Sequence, residues 1–304
     1  MDNKNVFIAI ALSMSVLLFW GAFFETPKPI EKNLSEQSLK KKVENKNSNI
    51  TPNINEVTKT KTVSREDSIS KVKRIKVENS NIIGSISLKG GLIDDVSFKN
   101  HKQNLKEKKN IVFLNPQESD DGFFVESGWT SIGNKIKVPT TNSNWEVKGS
   151  KILGANQSVT LQWNNGEGII FKKIITLDEK YLFNISQQVE NNTNKSIDLY
   201  PYAQITRNKI PDDIQNFYIS HEGFIGVFDE ELKEDDYDDI QDKKIVREAN
   251  KGWLGITDKY WMTALVPEQG ENFKSTFLYK DAFKANYILN NPTTIQPSSN
   301  NSNN

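Results

Sequence analysis

The sequence has no cysteine in 304 residues. That excludes a disulfide framework, a thiolate metal centre and a lipid-modified N-terminal cysteine. It leaves the compartment open, because a domain of this size folds without covalent staples. Histidine is almost as scarce: His101 and His221 stand far apart, and neither has a metal-ligand spacing such as HExxH. Excess charge is missing too. Lys+Arg and Asp+Glu balance at 39 each, which argues against a nucleic-acid partner, since that calls for a clearly basic surface. There is no G-x-S-x-G nucleophile elbow and no P-loop, and Gly166-Glu167-Gly168 is a turn too short to cradle a phosphate. Helical periodicity is nearly absent, apart from a short turn expected near Pro211–Phe217.

One long apolar run is present, Val6–Phe24, roughly 19 residues and about the length a helix needs to cross a bilayer. It has no polar face, so a buried helix of a water-soluble fold is the poorer reading. It ends in Trp20, Phe23 and Phe24, which suit a membrane interface and not a signal-peptidase site. The run is therefore read as an uncleaved anchor. Its orientation stays open on lysine counts. Lys28, Lys32 and Lys40–Lys42 against Lys4 would hold the bulk of the chain in the cytoplasm, but long hydrophilic domains translocate largely regardless of charge. Residues 25–72 lack aromatics and are rich in Asn, Lys, Ser, Thr, Glu and Pro, so they are expected to be a disordered linker. Its coil reach is roughly 35–40 Å.

Beyond Arg74 the pattern has period two. Ile82, Gly84, Ile86 and Leu88 alternate up to Gly90-Gly91, and Leu92, Asp94, Val96 and Phe98 continue on a second strand. Further strands are predicted at Ile111–Leu114, Phe123–Val125, Val159–Trp163, Phe171–Leu177, Tyr181–Val189 and Leu199–Ile205. Short strands at turn spacing, rich in β-branched and aromatic residues, point to an antiparallel sandwich or barrel.

Candidate chemistry is thin. Asp94 and Asp95 are adjacent on a strand, so their side chains are expected on opposite faces and not to work as a pair. Asp229–Asp242 is an acidic run without the glycine of a calcium loop, and it reads as a solvated loop rim. Gly252–Gln269, GWLGITDKYWMTALVPEQ, reads as two buried strands around a Thr257-Asp258-Lys259 bend, with Trp253, Tyr260 and Trp261 as core anchors.

These segments carry a resemblance. MDNKNVFIAIALSMSVLLFW resembles the first membrane segment of the YidC/Oxa/Alb family of membrane protein insertases. Ser85–Asp95, Phe123–Thr130, Phe171–Thr193 and Gly252–Gln269 are similar, in the same order, to the large periplasmic domain of its bacterial members. The resemblance implies a mainly β fold, an antiparallel β-supersandwich of the galactose mutarotase type, preceded by one N-terminal transmembrane helix and a flexible linker. The implied division is residues 1–24 as the helix, 25–72 as the linker and 73–304 as a periplasmic domain, truncated at its C-terminal end. The implied location is the bacterial inner membrane, with a cytoplasmic N-terminus and a periplasmic main domain.

The implied partners are the lipid bilayer of the inner membrane, Sec translocon components and nascent membrane proteins, the last through a C-terminal core of five further helices. No second apolar run of that length follows, and Arg207 and Arg247 lie in the aqueous part, so neither matches the arginine of the family's membrane groove. The tail NNPTTIQPSSNNSNN is expected to be disordered. No residue is assigned as catalytic, cofactor-binding or metal-binding, no cofactor is expected, and the chain is not expected to be an enzyme. The alternatives are a membrane-anchored carbohydrate-binding or sugar-epimerising protein, which needs an acid and a base across a sugar ring, and an envelope scaffold for another protein.

Overall fold

The computed structural model describes residues 63–103, 108–212, 214, 221–297 and 300–303, with Met14 alone further upstream. The anchor read at Val6–Phe24, the linker up to residue 62 and most of the turn expected near Pro211–Phe217 lie outside the described residues. Among those described, no helix is long and apolar enough to cross a membrane. The chain divides into Met1–Ser48 and Asn49–Asn304, and the architecture below is that of the second unit.

The described structure includes residues 63–72 of the segment read as linker. Helix α1, Arg65–Ser70, starts at Ser64, whose hydroxyl accepts from the Asp67 N–H at 3.1 Å, and Glu66 and Asp67 occupy its first turn. Arg65 then pairs with Asp95. Capping and an ion pair hold this turn, so a reading based on apolar content passes over it.

The strands follow in chain order: β1 Arg74–Glu78, β2 Ile82–Ser87, β3 Leu92–Lys102, β4 Asn110–Leu114, β5 Phe123–Thr130, β6 Glu146–Lys148, β7 Ile152–Leu153, β8 Gln157–Asn164, β9 Ile169–Leu177, β10 Phe183–Asn191, β11 Ile197–Arg207, β12 Gly223–Phe228 and β13 Glu231–Asp235. Helix α2, Tyr237–Asp242, precedes β14 Ile245–Ala249, β15 Gly252–Thr257, β16 Met262–Leu265, β17 Phe273–Lys280, β18 Ala282–Leu289, β19 Thr293–Ile295 and β20 Asn300–Asn303. The fold is mainly β. An 11-stranded sheet runs β14-β17-β18-β11-β5-β3-β2-β1-β7, with β19 on β11 and β4 on β3. A five-stranded sheet runs β20-β10-β9-β8-β6, and a four-stranded sheet runs β13-β12-β15-β16. Among the strands described, pairing is antiparallel except between β1 and β7.

Alternation along each strand sets the packing. Strand β9 buries Ile169, Phe171, Lys173, Ile175 and Leu177 in strict period two. Phe171 meets Trp129 of β5 with ring centroids 5.1 Å apart, so the five-stranded sheet packs on the large one. Phe224 of β12 lies 5.0 Å from Phe277 of β17, which seats the four-stranded sheet. Tyr237 of α2 closes on Phe283 of β18 at 4.8 Å.

Three expectations change here. The acidic run Asp229–Asp242 is not a loop rim: it forms all of β13 and all of α2, buries Tyr237 and Ile240, and pairs Asp235 with Arg247 at 2.8 Å. The tail is not structureless, because β19 pairs with β11 and β20 with β10. Edge backbone that would otherwise lack partners overrides the weak strand propensity of Asn and Ser. Lastly, Asp94 and Asp95 do share a site. The register passes from Ser85↔Asp95 to Ile86↔Ile93, so Asp94 is the extra residue of a β-bulge, and both carboxylates are buried. Asp94 pairs with Arg74. The Arg74 Nε donates to Ser85 Oγ at 2.6 Å, and Ser85 Oγ donates to Asp95 Oδ2 at 2.5 Å.

Burial pushes the Asp94 carboxyl up from 3.8 to about 6, with the Arg74 charge opposing. The folded state thus holds this proton where the unfolded state has released it. The stability this proton contributes is fully present below pH 3.8 and is lost as pH rises to about 6. Asp94→Asn is expected to be less stable overall, because Arg74 loses its counter-ion, but to lack that fall. Chemical denaturation across this pH range measures both.

Candidate functional site

The central strands of the large sheet have two unlike faces. In register, Ser127, Ala203 and Tyr287 form one rung across β5, β11 and β18, and Glu126, Gln204 and Asn286 form the next. Because successive side chains point to opposite faces, the first rung belongs to one side of the sheet and the second to the other.

The first side is the floor of a cleft of about 790 Å³. Val125, Ser127, Pro201, Ala203, Tyr287 and Leu289 make up the floor. One wall is the β9–β10 turn and the start of β10, from Tyr181 to Ile185. The other is the chain from Tyr260 through β16 to Glu268. Phe98 closes one end, in ring contact with both walls: Tyr181 at 5.8 Å and Trp261 at 4.4 Å. The lining is predominantly apolar, which is the character of a binding groove.

The second side is a buried polar network. Tyr202 OH donates to Glu126 Oε1 at 3.3 Å, Gln204 Nε2 donates to Thr206 Oγ1 at 3.1 Å, and Asn286 Nδ2 donates to Gln204 Oε1 at 3.4 Å. Burial pushes the Glu126 carboxyl up, while the charges of Lys284 and Lys173 pull it down. Burial lowers Lys173 to about 8 against the opposing charge of Glu126, and Lys284 is lowered for the same reason. Lys173 Nζ stands 4.8 Å over the Trp145 ring. The void bounded by Glu126, Lys173, Tyr202 and Trp145 is only about 10 Å³. That is the room of about one water molecule, far too small for a sugar.

The residues weighed from sequence scatter. His101 is in ring contact with Trp261 at 4.7 Å, at the Phe98 end of the cleft. His221 bonds the Phe224 carbonyl at 2.8 Å and faces Asp236. The two histidines therefore do not form an acid–base pair across one site. Trp129 and Trp145 are buried and Trp261, half-buried, packs against the core beside Phe98, whereas Tyr260 is 73% exposed and stands on the rim. Arg207 pairs with Asp258 at 2.6 Å, and Arg247 stands over Phe228 and Phe277. Among the described residues no group of His, Asp or Glu is arranged to hold a metal. Sequence reasoning missed Glu126 and Lys173. The signal was there for Lys173: in IIFKKIITL the inward set includes position 173, so a lysine stands where the pattern calls for an aliphatic residue.

Fold and cleft together define a mainly β domain whose principal feature is an apolar groove over a buried charge network. The chain belongs to the family of the YidC periplasmic domain, whose model matches residues 74–304. It is 43% identical to the membrane protein insertase YidC of Pelagibacter ubique over 95% of this chain and 51% of that one. It is 37% identical to that of Rickettsia prowazekii over 92% and 50%, and 33% identical to that of Cereibacter sphaeroides over 91% and 46%. The chain thus spans about half the length of the curated relatives it matches. A galactose mutarotase related enzyme from Lactobacillus acidophilus aligns with a TM-score of 0.48 at 12% identity, covering 76% of this chain and 95% of that structure. A likeness that distant assigns neither substrate nor chemistry.

Proposed function

We propose that this chain is the anchored, exported portion of a bacterial membrane protein insertase. Its role is accessory: the β domain docks Sec translocon components and supports the insertase core, and it performs no bond chemistry. In this reading residues 1–24 cross the inner membrane with a cytoplasmic N-terminus. The segment after them is a linker, and the rest is a periplasmic β-supersandwich of the galactose mutarotase type. Nascent membrane proteins are handled by the core. The carrying observation is the match along nearly the whole chain to proteins named as insertases, at up to 43% identity among the relatives given above. The cleft supports it physically, since a predominantly apolar exposed surface is of the kind that docks partners.

A topology reporter fused after Asn304 tests the placement. A reporter that works only outside the cytoplasm is expected to be active, and activity confined to a cytoplasmic reporter overturns the reading. Photocrosslinkers on α2 and β13 then test the partner. Recovery of translocon subunits is expected, whereas recovery of unrelated envelope proteins alone would turn the assignment toward an envelope scaffold.

A further inference from the structure

Two hairpin turns in different sheets carry the same short pattern, an acid followed by Lys, Tyr and an apolar residue. The β9–β10 turn reads Glu179-Lys180-Tyr181-Leu182, and the β15–β16 turn reads Asp258-Lys259-Tyr260-Trp261. Both meet Phe98, through Tyr181 and Trp261, so they form one lip at the mouth of the cleft. The lip is unusually apolar for a surface. Tyr260 is 73% exposed, Leu182 and Val266 62%, Tyr181 46% and Met262 45%. Contiguous exposure of this kind marks an interaction site, because it gains nothing from folding.

The turns are also held rigid. Asp178 Oδ1 accepts from the N–H groups of Lys180 and Leu182 at 2.8 and 2.9 Å, and Asn79 Nδ2 donates to the Asp178 and Lys180 carbonyls at 3.0 and 2.9 Å. In the second turn the Asp258 N–H donates to the Trp261 carbonyl at 2.7 Å, while Arg207 binds the Asp258 side chain. Both acids have partners, since Asn156 Nδ2 likewise donates to Glu179 Oε1 at 3.1 Å. Lys180 and Lys259 are the cations of the tips, and Lys259 stands 5.2 Å over the Tyr260 ring.

We infer that this lip seats the β domain on the headgroup interface of a phospholipid bilayer, with Tyr181, Leu182 and Tyr260 entering the interface and the exposed Lys180 meeting a lipid phosphate. Tyr is the amphipathic residue favoured at that depth, and a neighbouring Lys completes the usual interfacial pair. The greatest apolar exposure lies at the turn tips and not on the floor of the cleft, which suits a flat partner better than a threaded polypeptide. Sequence supplies the proximity: an apolar run of bilayer length precedes the described domain by residues 25–62, so a tethered domain samples the membrane at high effective concentration. The inference goes beyond the insertase reading and needs only that the chain is anchored.

The absence of cysteine allows a clean test on the full chain. Single cysteines from Leu182→Cys, Tyr260→Cys, Ser15→Cys and Lys148→Cys are labelled with an environment-sensitive fluorophore. The proteins are reconstituted in phosphatidylethanolamine–phosphatidylglycerol vesicles with or without brominated lipid. Labels at 182 and 260 are expected to shift blue and to be quenched by brominated lipid, while the label at exposed Lys148 of β6 stays water-like. Adding Tyr260→Ser to the 182-labelled chain is expected to weaken the quenching with unchanged thermal unfolding, since the Tyr260 side chain is largely in solvent. Labels at 182 and 260 as water-like as at 148 overturn the inference. So does shielding that arises only when an apolar peptide is added, without lipid quenching. The label at 15 reports the anchor separately: if it is quenched and the tips are not, the anchored reading stands and the lip does not.

Discussion

Glu126→Ala is expected to destabilise the β domain by about 3–5 kcal/mol, the range for removing one partner from a buried charge cluster. The carboxylate sits among the fields of Lys284 and Lys173 and accepts from Tyr202, and all four residues are buried. Without it, two buried ammonium groups lose their shared counter-charge and the Tyr202 hydroxyl loses its acceptor. Urea unfolding of the detergent-solubilised chain, followed by tryptophan fluorescence, measures the loss. Glu126→Gln keeps an acceptor and should fall between the two. Glu126→Leu combined with Lys284→Met should recover part of the deficit, because it also removes one of the two buried cations whose charge Glu126 offsets.

The same network fixes a pH dependence. Lys173 titrates at about 8 when folded and at 10.5 when unfolded, so the unfolded state binds more protons between those values. Stability therefore rises as pH climbs from 8, until ionisation of unfolded tyrosine near pH 10 works against it, Tyr202 being held well above that value by burial. Glu126 supports the Lys173 charge, so in Glu126→Ala the rise should begin at lower pH. A variant with wild-type stability and an unchanged profile would mean the network carries no net field.

Much of the fold is legible from side-chain alternation. The β2–β3 hairpin, the turn at Gly90-Gly91 and the β8–β9–β10 meander follow from period-two burial and turn residues, and the register agrees. What escaped has a physical reason in each case. A β-bulge adds one residue, so Asp94 and Asp95 share a buried site that simple alternation denies them. Helices α1 and α2 are six residues each, too short for helical periodicity to register. Strand β20 exists because β10 has an open edge, a fact of topology and not of the Asn-Ser text. The cleft was invisible for the same reason: its floor comes from β5, β11 and β18, which are distant in sequence. Of the GITDKYW aromatics Trp261 does pack against the core, but Tyr260 sits at the hairpin tip, 73% exposed, where composition alone predicts a buried ring.

That hairpin depends on its first residue. Gly252→Ala is expected to cost about 3–5 kcal/mol, at the severe end for a single substitution. Gly252 has φ +127, and a Cβ built there lies 1.8 Å from the Val227 carbonyl oxygen and 2.8 Å from its carbon. Both atoms are backbone of the paired strand β12, so nothing flexible can yield. Separation of β15 from β12 would also loosen the Gln269 clamp, in which the Gly252 N–H donates to Oε1 at 2.8 Å and Nε2 donates to the Gly252 carbonyl at 3.0 Å. Leu254 and Ile256, almost fully buried on β15, would follow. Gly270→Ala is the control. It has φ +95 but open space around its Cβ, so only the backbone term remains, about 1–2 kcal/mol. Thermal unfolding of the two variants separates clash from conformational strain. A much larger loss at 252 assigns the difference to the approach of Val227, and equal losses would mean that β12 and β15 have room to part without disturbing the hairpin that carries Tyr260.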